Sequence, residues 1–357
     1  EIMHNLTPLG PNQTDTIIIP EILINEVMTE KWGSWIISGG IDEDWIELFN
    51  PTEEDIDVGG LYFYTDHNDP NPVQIDPDSP NKTIVPALGF LYFIADGRDD
   101  LGWRHINLTM KDSGGELLLA VGQLGKYFTV DSIGYPPAFE EVSYGRYPDG
   151  SSEWTNMVRY TRGRPNDPGP TGLDKIFINE LASRNSKYYA DDIGAYEDWI
   201  EVYNANTFEV DLGGLFFSET FNDLTSWHIP TSFPDSTTIL PNSYRMFRAD
   251  GLRRASVTSV GFMLNGTGGK LALSYPAATG ISLIDSVSFP SLLDGQSYGR
   301  VMDAHPDWVI FNAPTPDTSN TSSAAVFGLS YQSDQYHIYP NPADGHFYVE
   351  QLGQLEA

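Results

Sequence analysis

The sequence predicts an all-β protein: two tandem immunoglobulin-like β-sandwiches followed by a short β-type segment at the C-terminal end. Three observations carry that expectation. Short β-branched and aromatic runs alternate with turn residues, long helical periodicity is missing, and one block of motifs occurs twice in a single register.

The strands can be taken in order. Trp45-Ile46-Glu47-Leu48-Phe49 alternates and ends at the turn residues Asn50-Pro51-Thr52, so it reads as a strand with one face in water. Gly60-Leu61-Tyr62-Phe63-Tyr64 precedes a polar loop through Asp66, Asp69, Asp76 and Asp78. Phe90-Leu91-Tyr92-Phe93-Ile94 stops at Asp96-Gly97, and Glu116-Leu117-Leu118-Leu119-Ala120-Val121 begins after Gly114-Gly115. Continuous apolar runs of this kind fit strands buried between two sheets. Roughly eight strands in about 150 residues fit one sandwich.

The repeat fixes the organisation. Ile24-Asn25-Glu26 returns 154 positions on as Ile178-Asn179-Glu180. At the same spacing Asp44-Trp45-Ile46-Glu47 returns as Asp198-Trp199-Ile200-Glu201, and Asp57-Val58-Gly59-Gly60-Leu61 as Asp211-Leu212-Gly213-Gly214-Leu215. Ala95-Asp96-Gly97, Asp131-Ser132, Ser143-Tyr144-Gly145-Arg146 and Trp154 recur as Ala249-Asp250-Gly251, Asp285-Ser286, Ser297-Tyr298-Gly299-Arg300 and Trp308. Matching Thr83-Ile84-Val85-Pro86 to Thr238-Ile239-Leu240-Pro241 is expected to slip the register by one. Chance does not hold one register through so many separate matches, so the chain is a tandem duplication. Pro165, Pro168, Gly169, Pro170 and Gly172 read as a short, stiff linker between two separate cores. The expected organisation is an extension or linker over 1–19, sandwiches over 20–168 and 174–322, and a further segment over 330–357.

Composition excludes several classes. Lys and Arg number 19 against 50 Asp and Glu, a formal net charge of −31 in 357 residues. Nucleic-acid binders neutralise phosphates with Lys and Arg, so no nucleic-acid partner is expected, and charge disfavours docking on anionic lipid. Hydrophobic residues make up 40% and aromatic residues 13%, too rich for a disordered acidic chain. Cysteine is absent, which removes disulfides, thiolate nucleophiles and thiolate metal sites together. No apolar run reaches the ~18 residues of a membrane-spanning helix. No basic-then-apolar leader follows Glu1, so a signal peptide is expected to have been removed or to lie upstream.

The order Ile-Asn-Glu, Asp-Trp-Ile-Glu, Asp-x-Gly-Gly-Leu, Ala-Asp-Gly, Ser-Gly-Gly-Glu, Asp-Ser, Ser-Tyr-Gly-Arg resembles the lamin tail domain, and most of all its bacterial secreted members. The resemblance covers residues ~20–168 and ~174–320 and rests on motif order. It implies an immunoglobulin-like sandwich with a non-catalytic interaction or spacer role. No heptad region is present, so a nuclear-filament role is not carried over. Tyr336-His337-Ile338-Tyr339-Pro340-Asn341-Pro342-Ala343, with Gly345 and Phe347-Tyr348-Val349, resembles the opening of a type IX secretion sorting domain. Tyr339, Pro340, Asn341 and Pro342 match its sorting turn. This second resemblance implies an exported Bacteroidota protein at the outer surface or in the medium, with the type IX machinery as a partner.

No constellation for catalysis stands out. Gly-x-Ser-x-Gly, His-Glu-x-x-His and the phosphate-binding Gly-x-x-x-x-Gly-Lys are absent, and His105 in the first unit aligns with Ser259 in the second. The recurrent Glu26, Glu47, Glu180 and Glu201 could form carboxylate pairs; the structural reading has them facing solvent on alternating strands or accepting backbone hydrogen bonds. Asp42, Asp44, Asp66 and Asp69 in the first unit, and Asp191, Asp192 and Asp198 in the second, are candidate calcium ligands, since hard cations take loop carboxylates. They lack EF-hand spacing. Trp45 and Trp199 read as core, and Trp154 and Trp308 as fillers of the sandwich edge. The unpaired Trp32, Trp35, Trp103 and Trp227 are candidates for a sugar-stacking face. Arg146 and Arg300, each after Tyr-Gly, read as structural clamps for a carboxylate.

The functional expectation is a non-catalytic structural or adhesion module, secreted or on the cell surface, with a surface or matrix protein or a glycan as partner. Its alternatives are an accessory segment of a larger secreted enzyme and a self-assembling fibre subunit. Self-assembly would use Thr14-Asp15-Thr16-Ile17-Ile18-Ile19 as an added strand.

Overall fold

A computed structural model of the protein describes residues 2–5, 13–15, 17–29, 43–66, 72–123, 125–139, 141–190, 194–231, 233–252, 256–278, 280–320, 325–326, 336–339 and 348–351. Strands β1 (Ile2–Asn5) and β2 (Gln13–Asp15) pair antiparallel ahead of the first unit. That unit contains β3 (Leu23–Met28), β4 (Trp45–Phe49), β5 (Ile56–Asp57), β6 (Tyr62–Tyr64), β7 (Val73–Gln74) and β8 (Ile84–Val85). It continues with β9 (Phe90–Ile94), β10 (Gly115–Gln123), β11 (Lys126–Tyr135), β12 (Ser143–Arg146) and β13 (Trp154–Met157). Eight of these described strands exceed two residues, which matches the sandwich expectation; β5, β7 and β8 are two-residue additions.

The second unit repeats the series as β14 (Ile176–Ala182), β15 (Trp199–Asn204), β16 (Val210–Asp211), β17 (Phe216–Ser218), β18 (Trp227–His228) and β19 (Thr238–Ile239). It ends with β20 (Ser243–Arg248), β21 (Gly268–Ala277), β22 (Gly280–Pro290), β23 (Ser297–Arg300) and β24 (Trp308–Phe311). Then come β25 (Ala325–Val326), β26 (Tyr336–Tyr339) and β27 (Tyr348–Gln351), the last two an antiparallel pair. Helix is confined among the described residues to two 3-10 turns and Pro234–Thr237. The protein is all-β.

Each unit is a two-layer sandwich. In the first, the sheet β13-β12-β3-β4-β9 faces β11-β10-β6-β7. Ile24, Ile46, Leu48 and Phe93 from one layer meet Phe63, Leu117 and Leu119 from the other. In the second, β20-β15-β14-β23-β24-β25 faces β18-β17-β21-β22 around Ile178, Ile200, Phe247, Phe217 and Leu273. The hydrophobic effect drives this burial.

The structure corrects two expectations. Strand β4 was expected to face water with Glu47, yet Glu47 is fully buried, as is Trp45, which the sequence placed in the core. The segment after β13 crosses that outer face and covers it: Tyr160 packs edge-on against Trp45 at 6.4 Å, and Arg162 lies over the same ring. Trp199 is buried likewise, beside Ala182 and Met246 and apart from the main core. Alternation in sequence therefore marks two differently filled faces here, both dry. The second correction concerns register. Thr83 bonds Asp57 as Thr237 bonds Asp211, Ile84 pairs Asp57 as Thr238 pairs Asp211, and Leu88 and Asn242 share φ near +50°. The spacing stays at 154, and the apparent slip was a coincidence of residue identity.

The two cores are not wholly separate in composition. Val158 leaves the end of β13 and packs into the core of the second unit. Asn156 Nδ2 donates to Ala277 O at 2.6 Å, and Arg159 pairs with Asp211 at 2.7 Å. No helix among the described residues is long and apolar enough to cross a membrane.

Candidate functional site

The chemistry-bearing residues that recur converge on the outer face of each larger sheet. A β-bulge makes this possible. The β3–β4 register shifts between Ile24 and Glu26, and the β14–β15 register between Ile178 and Glu180. The extra residue lets Ile24 and Val27 both reach the core while Asn25 and Glu26 share the opposite face. Glu26 then stands directly across from Glu47, and Glu180 across from Glu201. All four are fully buried, so the expectation of solvent-facing glutamates is overturned; their role as acceptors of backbone donors is what the structure shows.

Like charges directly opposite in a sheet repel, and burial in low dielectric adds a solvation penalty. Burial pushes Glu26 up to about 7, against hydrogen bonds from Ser143 and Thr161 that favour the charged form. Burial, and then the charge of Glu26, push Glu47 up to about 8. Burial likewise raises Glu180, and burial followed by Glu180 carries Glu201 well above the carboxylate range.

Hydrogen counting leads to the same state. Ser143 Oγ donates to Glu26 Oε1, and the Thr161 amide donates to it at 3.0 Å. Thr161 Oγ1 lies 2.9 Å from Glu26 Oε2 and 2.8 Å from Asn166 Oδ1. Asn166 Nδ2 is committed to the carbonyls of Asn25 and Arg146, so Oδ1 must accept. A hydroxyl has one hydrogen, and Thr161 gives it to Asn166. The contact with Glu26 Oε2 is then complete only if Glu26 carries a proton and donates it. Ser297, Thr315, Asn320, Asn179 and Arg300 place the same contacts around Glu180.

The other bonds of this network latch the closing segment of each unit onto its first two strands in the larger sheet. Glu47 accepts from Gly163 N and, at 3.3 Å, from Asn25 Nδ2; Glu201 accepts from Asp317 N at 2.7 Å and Asn179 Nδ2 at 2.9 Å. Asp149 Oδ1 takes Asn25 Nδ2 and the Asn166 amide, and Asp303 Oδ1 repeats both bonds. Arg146 donates to Ile24 O at 2.8 Å and to the Ser151 carbonyl, pairs with Asp131 at 3.1 Å, and stacks over Trp154. Arg300 does the same with Ile178 O, His305 O, Asp285 and Trp308. The clamp role read from sequence is what the geometry shows, and Trp154, on edge strand β13, and Trp308, on β24 between β23 and β25, lie half-buried against Tyr144 and Tyr298. Asp149, Thr161 and Asn166 were not singled out from sequence, although Asp303, Thr315 and Asn320 repeat them at the same spacing.

The calcium candidates do not assemble among the described residues. Asp42, Asp69, Asp191 and Asp192 lie outside them. Asp44 accepts a long bond from the Met110 amide, and Asp198 one from the Asn185 amide, both at 3.4 Å. Burial pushes Asp198 up to about 6, and Asp66 is exposed. Among the described residues no three carboxylate or histidine side chains are grouped to hold a metal. Tyr339 ends β26, while Pro340, Asn341 and Pro342 lie outside the described residues, as do Trp32 and Trp35. Trp227 is buried in the second core, and Trp103 lines an open 600 Å³ cavity with His105 and Asp76.

Fold and site together define a duplicated all-β sandwich protein whose recurrent carboxylates are internal. The chain matches no protein-family model, no curated protein and no solved structure.

Proposed function

We propose that this chain is a non-catalytic structural or adhesion module, working outside the cell or on its surface and exported by type IX secretion. One observation supports it above others: every recurrent glutamate is sealed from solvent, its oxygens engaged by protein donors. A carboxylate that performs acid–base work must reach a substrate proton. These carboxylates hold a covering segment onto a sheet instead. The resemblance to bacterial lamin tail domains supports the same role, and the Tyr-Pro-Asn-Pro stretch at 339–342 supports the export route.

The test fuses residues 330–357 to a reporter in a bacterium with type IX secretion. Reporter outside wild-type cells, and retained in an isogenic secretion mutant, is expected; retention in both strains overturns the export assignment. Labelled chain should then bind saturably to a panel of matrix proteins and glycans, and turnover of a polymer substrate without such binding overturns the non-catalytic role. Calcium enters as a ligand of the loops holding Asp42 and Asp44, Asp66 and Asp69, and Asp191, Asp192 and Asp198. A melting temperature unmoved by chelator removes it, because a bound ion stabilises the native state.

A further inference from the structure

Among the described residues, the first unit leaves open the face by which the second unit holds its neighbour. In the second unit, the turn Asp211–Leu215 receives Val158. A side chain added at Gly214 would strike Val158 Cγ1 at 2.3 Å, so the absence of a Cβ makes the seat. Asp211 Oδ1 accepts from Gly213 N and Thr237 Oγ1, and Asp211 Oδ2 meets the Arg159 guanidinium at 2.7 Å. Leu173, on the lead-in to β14, packs against the same core.

The first unit has the same turn, Asp57–Leu61, and none of the described residues fills its seat. Asp57 Oδ1 accepts from Gly59 N at 2.9 Å and Thr83 Oγ1 at 2.6 Å, and among the described residues Asp57 makes no ion pair. Among the described residues, a side chain at Gly60 would meet nothing closer than Gln74 at 3.8 Å. Gly213 and Gly214 are buried while Gly59 and Gly60 are half-exposed. On the lead-in to β3, Ile18 and Ile19 occupy the places of Gly172 and Leu173 and are 82% and 50% exposed. Recurrence of the turn alone proves nothing, since Gly60 at φ +87° and the Asp57 cap account for it. The contrast in burial carries the inference.

We infer that Asp57–Leu61, with Ile18 and Ile19 beside it, is a docking socket for a β-sandwich of this kind placed ahead of the first unit in the same chain. In the joint already formed, the strand that fills this seat runs out into Val158 followed by Arg159, and at the same spacing of 154 the joint ahead of the first unit places His4 and Asn5 there. Exposed Glu53, Glu54 and Asp55 flank the socket and favour a cationic partner. A second copy of this chain does not supply it: Val158 and Arg159 are already seated internally, and their counterparts in the second unit are Asn312 and Ala313.

The test inserts a copy of residues 18–171 directly ahead of Ile18 of the full chain and follows amide hydrogen exchange. Exchange across 57–62 should slow about tenfold or more, toward that of 211–216. Val158→Asp with Arg159→Glu in the added copy alone, or Asp57→Asn in the resident socket, should abolish the slowing. The latter is a surface change that leaves the added copy intact. Unchanged exchange in a chain that unfolds with the added copy's own thermal transition overturns the inference. So does slowing that survives both changes. Slowing that appears only on dimerisation of the original chain, seen by light scattering, also overturns it and makes a second copy the partner.

Discussion

The two units differ where they meet other things and agree where they hold themselves together. Glu26, Glu47, Asn25, Asp149, Thr161 and Asn166 all have identical counterparts, and their bonds recur nearly distance for distance. Elsewhere the units part. Gln74, exposed, stands where His228 is buried, and burial pushes that imidazole down to about 3, leaving it neutral beside Glu141. Edge strand β13 faces the neighbouring unit, whereas β24 pairs with β25 of the following chain. Duplication therefore preserved an internal polar network and freed the outer surfaces to change. A half-satisfied buried network costs more than an apolar one, so its members cannot be replaced singly.

That equivalence can be broken most sharply at the glutamates. Glu26→Ala strands Ser143 and Thr161 without their acceptor, and is expected to cost the first unit about 3–5 kcal/mol. Glu180→Ala should cost the second unit a similar amount by calorimetric unfolding; a difference above about 2 kcal/mol would mean that the two latches are not equivalent.

The next effect is a pH dependence. Glu26 and Glu47 titrate near 7 and 8 when folded and near 4.5 when unfolded, so the folded chain binds more protons between those values. Stability from the latch is fully present below about pH 4.5, falls as pH rises through about 7 to 8, and is flat above. The change is about 3 kcal/mol for Glu26. Glu26→Gln with Glu180→Gln keeps a donor toward Thr161 and Thr315, and should make the melting-temperature profile shallower over that window, with Glu47 and Glu201 carrying what remains. A profile as steep as the parent's assigns the dependence to groups other than Glu26 and Glu180, and adding Glu47→Gln with Glu201→Gln then separates the buried pair from surface charge.

Smaller effects separate the units. Val158→Asp places a carboxylate in the second core and is expected to cost about 2–3 kcal/mol there, with the first unit's transition unmoved in calorimetry. Ala304 and Asp317 hold φ of +59° and +61° where the first unit has Gly150 and Gly163. Ala304→Gly is expected to stabilise the second unit by up to about 1 kcal/mol, read as a rise in its melting temperature.

Much of this was legible beforehand. The duplication, the strands Trp45–Phe49 and Phe90–Ile94 and the arginine clamps follow from residue pattern. The burial of Glu47 did not, because a strand that alternates shows only that its two faces differ. What covers the second face is set by a segment more than a hundred residues away. Gly60 was expected to open a strand, but its positive φ makes it part of the turn, and β6 begins at Tyr62. Thr161 and Asn166 were visible as repeats but gave no local signal of chemistry.

The bond from Thr161 to Glu26 spans 135 positions, and its counterpart at Glu180 spans the same. Contacts so distant along the chain make folding slow, because a long loop must close before they form. A unit emerging from a ribosome or an export channel N-terminus first therefore shows water an unprotected glutamate until its last dozen residues arrive. Completion of each sandwich is in effect timed by the delivery of its own tail, and the first unit can finish before the second has begun to close.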